Sequence, residues 1–321
     1  MWRNPATGAA ATVRRVTTSR TQLSLGIATF GTPTGGDWRH LLDLARAADE
    51  AGVDRLVLPD HVVLGEHTAD YPWGRFPTGP TADWLEPLTT IAALSAVTER
   101  VRFLTGILVV PIRPSALLAK TAATIDVLSG GRLDLGVGVG WQREEFDAVG
   151  VDFTSRGAQL DRSIADCRTL WSGEPLPVTG VDGVFGRVWC APLPAQERLP
   201  VWFSGTLGRR NLQRIVELGD GWIPIMGATP DDVATGVTEL RAGFTAAGRD
   251  PGSLQVRAAP AMVRDADGVT DLEATLAVVP ELIAAGATDI HLPLRAFAAD
   301  SRPEVARPAM DRLVAAIAER S

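Results

Sequence analysis

The chain has 321 residues, 45% hydrophobic and 21% charged, with a formal net charge of −7. A chain this apolar buries a large core, which excludes disorder as its main character, and no apolar run approaches the ~18–20 residues of a membrane span. The acidic balance disfavours a broad grip on nucleic acid. Cys167 and Cys190, the two cysteines, make neither a disulfide framework nor a cysteine zinc site, and suit a reducing cytoplasm.

Residues 1–20 carry Arg3, Arg14, Arg15 and Arg20 and no acid, and read as a disordered tail. Residues 21–321 read as one domain in which short apolar runs alternate with amphipathic segments. Leu23–Phe30 is the first predicted strand. Asp37 can cap a helix with Trp38, Leu41, Leu42, Ala45 and Ala48 on one face, stopped by Gly52. Leu56–Pro59 is the second strand. Asp83 with Glu86 reads as a capping box before a helix carrying Leu85, Leu88, Ile91, Leu94 and Val97. Arg102–Val110 is the third strand, Leu117–Leu128 a helix ended by Gly130-Gly131, and Leu133–Val139 the fourth strand. A helix around Asp161–Trp171 leads into a Gly/Pro-rich stretch, 172–200, expected to be a hairpin insertion. Val201–Ser204, Trp222–Ile225, Leu254–Val263 and Ile290–Leu294 complete eight strands, and a last helix carries Met310, Leu313, Val314 and Ile317.

Eight apolar strands alternating with helices predict a parallel sheet buried on both faces. The count and length predict a (β/α)₈ TIM barrel with insertions after strand two (about 62–82) and before strand five (about 172–200). A doubly wound open sheet would carry a nucleotide fingerprint in its first βα turn, and Gly31–Gly36 does not match it.

In such a barrel the chemistry sits at the C-terminal ends of the strands. Asp60-His61 follows strand two directly and puts an imidazole at the mouth, either as a proton donor or packed under the 62–82 loop. Thr105-Gly106-Ile107 lies inside strand three, where a glycine marks a bulge, a close ligand approach or a crowded barrel layer. Gly136, Gly138 and Gly140 strip one face of strand four: either a flat ligand lies there, with Trp141 stacked on it and Arg143, Glu144 and Glu145 in reach, or neighbouring strands pack closely. Ser204-Gly205-Thr206-Leu207-Gly208 before Arg209 and Arg210 is a Gly-rich turn at a helix start, suited to an anion. Two cations in the first helical turn oppose the dipole unless an anion joins them. Met226 and Gly227 follow strand six nearby. His40 and His67 read as solvated, and His291 as a satisfied barrel-layer histidine. Tyr71, Trp73, Phe76 and Trp84 suggest a pocket wall or a hydrophobic lid. No metal cluster, nucleophile elbow or Walker loop is present, and Lys120, the single lysine, lies within a helix.

The run DWLEPLTTIAALSAVTERVRFLTGILVVPIRPSALLAKTAATIDVLSGGRLDLGVGVGWQREEF, the patch LPVWFSGTLGRRNLQRIVELGDGWIPI and Asp60-His61 resemble the bacterial luciferase-like monooxygenase superfamily. The resemblance covers about residues 22–295 and looks most like its actinobacterial coenzyme F420-dependent oxidoreductases. It implies a barrel whose strand-three bulge, Thr105 to Ile107, often holds a non-proline cis peptide behind the cofactor ring. It also implies a cofactor phosphate near Gly205, Thr206 and the loop after strand six. His61 then stands beside the ring. Trp141 departs from an acidic residue of one related dehydrogenase type, which argues against that enzyme's sugar-phosphate substrate. The expected sites are thus His61, Asp60 and Glu144 for catalysis, and Thr105, Gly106, Ile107, Gly138, Gly140, Trp141, Ser204, Gly205, Thr206, Arg209, Met226 and Gly227 for coenzyme F420. The alternatives are an FMN-dependent monooxygenase fed by a separate reductase, and a non-catalytic cofactor-binding barrel. The expected partners are a small-molecule substrate and a second copy of the chain.

Overall fold

The computed structural model describes residues 20–33, 36–179 and 185–321; the expected tail, apart from Arg20, lies outside them. In chain order the first half contains β1 (Gln22–Gly26), β2 (Phe30–Gly31), α1 (His40–Ala51), β3 (Arg55–Leu58), β4 (Asp83–Trp84), α2 (Pro87–Ser95), β5 (Arg102–Thr105), β6 (Leu108–Val109), α3 (Ser115–Leu128), β7 (Leu133–Gly138), α4 (Arg143–Ala148) and α5 (Arg156–Trp171). The second half contains β8 (Leu176–Thr179), β9 (Phe185–Val188), β10 (Val201–Ser204), α6 (Arg209–Leu218), β11 (Gly221–Ile223), α7 (Pro230–Ala246), β12 (Gln255–Ala258), α8 (Leu272–Leu276), α9 (Val279–Ala284), β13 (Asp289–Pro293) and α10 (Pro303–Glu319).

Eight strand positions run β1-β3-β5-β7-β10-β11-β12-β13, all parallel, and the sheet closes where β13 pairs with β1. This is the expected (β/α)₈ barrel, and the 172–200 insertion contains the expected antiparallel hairpin, β8 with β9. Three strands are shorter than their apolar runs. The first run divides: β1 leaves the barrel at Gly26, and Phe30–Gly31 pairs antiparallel with Asp83–Trp84. The third divides at Gly106–Ile107. The seventh stops at Ala258, two residues before Pro260, which has no N–H for a ladder. The capping box is corrected too. Asp83 sits in β4 and accepts the Trp38 indole N–H (3.2 Å), whereas Glu86 is itself the N-cap, accepting from the Thr89 amide (2.7 Å) with Pro87 at the first helical position.

The main core lies between the barrel and its helices. Inside the barrel the lowest layer is ionic. Arg55 donates through Nε to Asp134 (2.8 Å) and through NH1 to Asp289, Arg102 reaches the other oxygen of Asp134 (2.7 Å), and Ser24 donates to Asp289 (2.7 Å). Val57, Leu104, Trp202 and Ile223 stack above as an apolar layer, with the face of the Trp202 ring on the Arg55 guanidinium, 5.1 Å from the ring centre. Burial alone pushes the Asp134 carboxyl up, but Arg102 and Arg55 outweigh it and hold it at about 2 against an ordinary 3.8. That depression contributes roughly 2–3 kcal/mol above the ordinary value and is lost as pH falls from about 4 toward 2. Asp134→Asn should therefore cost ~3–5 kcal/mol at neutral pH by urea unfolding. The gap to wild type should narrow only in that acid window; a gap already closed at pH 5 would contradict the assignment.

Candidate active site

The mouth is organised by the interruption of the third strand. The Gly106 amide still donates to the Leu58 carbonyl (2.6 Å), the Gly106–Ile107 peptide is cis, and β6 then rejoins β7 with Leu108 opposite Val137 and Val109 opposite Gly138. The backbone irregularity expected here is present. Asp60 holds its far side: one oxygen accepts from the Val109 amide (2.8 Å) and Arg113 (2.6 Å), the other from Arg113 (2.8 Å). The Asp60 carboxylate is buried and fully engaged, which makes it a strut beneath the mouth.

The bare face of β7 holds protein. A Cβ on Gly136 would stand 2.1 Å from the Thr105 carbonyl oxygen, and one on Gly138 would stand 2.7 Å from Ile107 Cδ1. Gly140 has φ +76°, and a Cβ there would meet Val109 at 2.7 Å. These glycines admit the broken strand, so close packing is the correct reading and a ligand against the bare face is not. Thr105 is buried with its hydroxyl on the Gly136 carbonyl (2.7 Å). Gly106 and Ile107 stay partly exposed and are the members of this wall that a ligand can touch.

His61 is buried under an aromatic cap. Phe76, Trp84 and Trp141 stand edge-on to it or nearly so, with ring centres 5.3, 4.8 and 6.1 Å away, and Tyr71 joins Trp141 at 5.2 Å. The 62–82 insertion is thus a lid packed on the imidazole. His61 Nδ1 lies 3.3 Å from Glu145 Oε2, and Glu145 Oε1 accepts the Val62 amide (2.6 Å). Glu145 is fully buried, while Glu144, the expected catalytic carboxylate, is half-exposed and paired with His67. The two glutamates are adjacent in sequence, and only the phase of α4 decides which one turns inward. A cleft of about 390 Å³ opens beside Trp141, lined by His67, Asp70, Gln142, Arg143, Glu144 and Phe153. His61 does not line it.

The Ser204–Gly208 turn lies outside that cleft. Gly205 has φ +115°, and the Gly208 and Gly227 positions face open space. The N-terminus of α6 has no side-chain cap. Asn211 holds the turn by donating to the Thr206 carbonyl (3.1 Å). Arg210 pairs with Asp161 (3.0 Å), but Arg209 is exposed without an ion-pair partner among the described residues. Met226 is 62% exposed. Open glycines, an uncapped helix start and a free arginine fit an anionic cofactor tail. The buried Thr29 hydroxyl and Trp141 indole N–H, both without partners, fit a polar ligand at the mouth. Among the described residues no cluster of three or more His, Cys, Asp or Glu could hold a metal, and no helix is long and apolar enough to cross a membrane. His291 does lie in the barrel layer as expected; it makes a backbone hydrogen bond with Ser24, while its Nδ1 has no partner among the described residues.

The sequence model of the family described as luciferase-like monooxygenase matches residues 16–311. The phthiodiolone/phenolphthiodiolone dimycocerosates ketoreductase of Mycobacterium kansasii is 31% identical over 179 residues, 54% of this chain and 48% of that protein. Two solved structures share the fold. One is an F420-dependent secondary alcohol dehydrogenase with an F420-acetone adduct (TM-score 0.71, 18% identity, 93% of this chain and 99% of that one). The other is the FMN-bound oxygenating constituent of 3,6-diketocamphane monooxygenase from Pseudomonas putida (TM-score 0.68, 13% identity, 94% and 98%).

The two neighbouring glutamates should separate on mutation. Glu145→Ala leaves the buried His61 imidazole and the part-buried Val62 amide without their acceptor and should cost ~2–3 kcal/mol by urea unfolding. Glu144→Ala removes an exposed pair and should stay within ~1 kcal/mol of wild type. Equal costs would remove the distinction.

Proposed function

The chain belongs to the luciferase-like monooxygenase family, and on that premise we propose that it is an F420-dependent oxidoreductase transferring a hydride between the deazaflavin and the carbonyl or alcohol carbon of a small organic substrate. The observation that carries the choice is the β10–α6 turn: open glycines, an uncapped helix start and Arg209 free beside them suit a long anionic tail. The ketoreductase relative and the fold shared with an F420-dependent alcohol dehydrogenase support the substrate class.

When bound, the cofactor supplies the hydride chemistry, and the protein supplies position, exclusion of water and a proton. Gly106 and Ile107, the partly exposed residues of the β5–β6 break, would back the cofactor ring. Glu145 fixes the His61 imidazole through Nδ1, which leaves Nε2 to give or take the proton of the substrate oxygen. Tyr71, Phe76, Trp84 and Trp141 exclude water around it. A second reading, an FMN monooxygenase fed by a reductase, is favoured by the family's description and by the FMN-bound fold relative.

Titration of purified protein with F420 and FMN side by side decides between them. F420 should bind at least ~10-fold tighter, about 1.4 kcal/mol, and Arg209→Ala should weaken it roughly 10- to 150-fold. Arg210→Ala should have little effect, and so should Arg209→Ala on a cofactor fragment without its tail. Tighter FMN with substrate-dependent oxygen uptake would establish the second reading instead. His61→Ala should lower kcat by ~10²-fold or more and, because the imidazole is packed under three aromatic rings and paired with Glu145, should also cost ~2–3 kcal/mol by urea unfolding; that stability loss with normal turnover would reduce His61 to packing.

A further inference from the structure

We propose that Arg257 and His291 form a recognition site at the barrel mouth for the carboxylate of a small organic substrate, an inference that deepens the reading above and rests on it for the word substrate. Val256 and Ala258 face the outer core, so Arg257 between them points into the barrel. Its NH1 lies 3.2 Å from where a Cβ on Gly106 would stand. Gly106 immediately follows the C-terminal end of β5, so the guanidinium reaches the mouth. The side chain is partly open to solvent, yet it makes no hydrogen bond or ion pair among the described residues, and NH1 is sealed without a partner.

Such an arginine is unlike its neighbours. Arg55, in the layer below, is neutralised by two carboxylates. Asp289, the register partner of Arg257 on the adjacent strand, commits one oxygen to Ser24 and Arg55, and its other oxygen has no partner among the described residues. The two charges therefore do not close on each other. Burial brings the Arg257 guanidinium down to about 10, which leaves it cationic at neutral pH. Asp289 is near enough to act on Arg257 electrostatically but makes no hydrogen bond or ion pair with it, and an enclosed cation left without a direct partner is one an anionic ligand would stabilise.

His291 completes the site. A Cβ on Gly26 would stand 2.9 Å from its ring, so the glycine makes the space that the imidazole occupies. Burial and then the Arg257 charge hold it well below its ordinary value, against a backbone hydrogen bond to Ser24, so it adds no positive charge at neutral pH beside Arg257, and its Nδ1 has no hydrogen-bond partner among the described residues. A planar guanidinium fork matches a carboxylate with two parallel bonds. The cofactor's anionic tail has its own place at the β10–α6 turn, which leaves this cation to the substrate. The aromatic side chains at the same mouth suit an apolar body carrying the acid.

Benzoate and benzamide share shape and differ in charge, and calorimetric titration of each into the purified protein tests the site. Benzoate should bind saturably and at least ~10-fold tighter than benzamide, and Arg257→Met should abolish the preference. The same variant should melt at or above the wild-type temperature, because it removes an enclosed unpaired charge. Its F420 and FMN titrations should match wild type. Equal binding of the two probes by wild type would overturn the proposal, as would an Arg257→Met variant that keeps the preference. Cofactor binding lost with Arg257→Met would overturn the assignment to substrate. If Arg257→Met does not fold, Arg257→Lys replaces it: a preference weakened but present supports the site, and an unchanged one overturns the role of the fork. Failure of wild type to bind either cofactor would remove the functional reading alone, since the benzoate comparison does not depend on it.

Discussion

The constraint on which the rest of the structure depends is the accommodation of a broken third strand. The chain leaves the barrel ladder at Gly106–Ile107 and returns at Leu108. It can do so because Gly136 and Gly138 offer no Cβ where the Thr105 carbonyl and the Ile107 side chain must stand. On the other flank the Asp60 carboxylate takes the Val109 amide, and Arg113 neutralises that carboxylate. Two adjacent strands and one ion pair thus hold one irregular segment at the centre of the mouth. Sites built on strands in this way are more rigid than sites built on loops.

Below that segment the barrel interior is stratified by charge. The ionic layer of Arg55, Arg102, Asp134 and Asp289 is satisfied almost throughout, and the apolar layer of Val57, Leu104, Trp202 and Ile223 separates it from the mouth. Among the described residues, buried polar atoms without partners occur on Thr29, Trp141, Arg257 and His291 and also on Trp202, Asp289 and Arg156. Buried polar groups in a folded protein are ordinarily paired.

The lid adds a second selection. His61 is held by Glu145 from behind and by three aromatic rings around it. Its burial places the imidazole in an environment from which water is excluded. The exposed His67–Glu144 pair at the cleft rim is the solvent-facing counterpart of the buried His61–Glu145 pair one residue further along α4.

The sequence by itself determined the barrel, its two insertions, the irregularity in strand three and the anion-suited turn before α6. Each of these is written in local terms: the period of apolar residues, a glycine inside a strand, a glycine-rich helix start. What only the tertiary structure decided is which groups meet. Gly136, Gly138 and Gly140 read equally as a ligand face or as room for a neighbour, and the choice depends on Thr105 and Ile107, about thirty residues away in the chain. Glu144 and Glu145 are indistinguishable as a pair of letters, and a 100° rotation along α4 assigns one to solvent and one to His61. Arg257 and His291 lie in strands that read as apolar runs; nothing local marks Arg257, and His291 reads only as a barrel-layer histidine. Their significance is the absence of a partner, and whether a side chain has a partner is a property of the folded neighbourhood that no single segment of the chain contains.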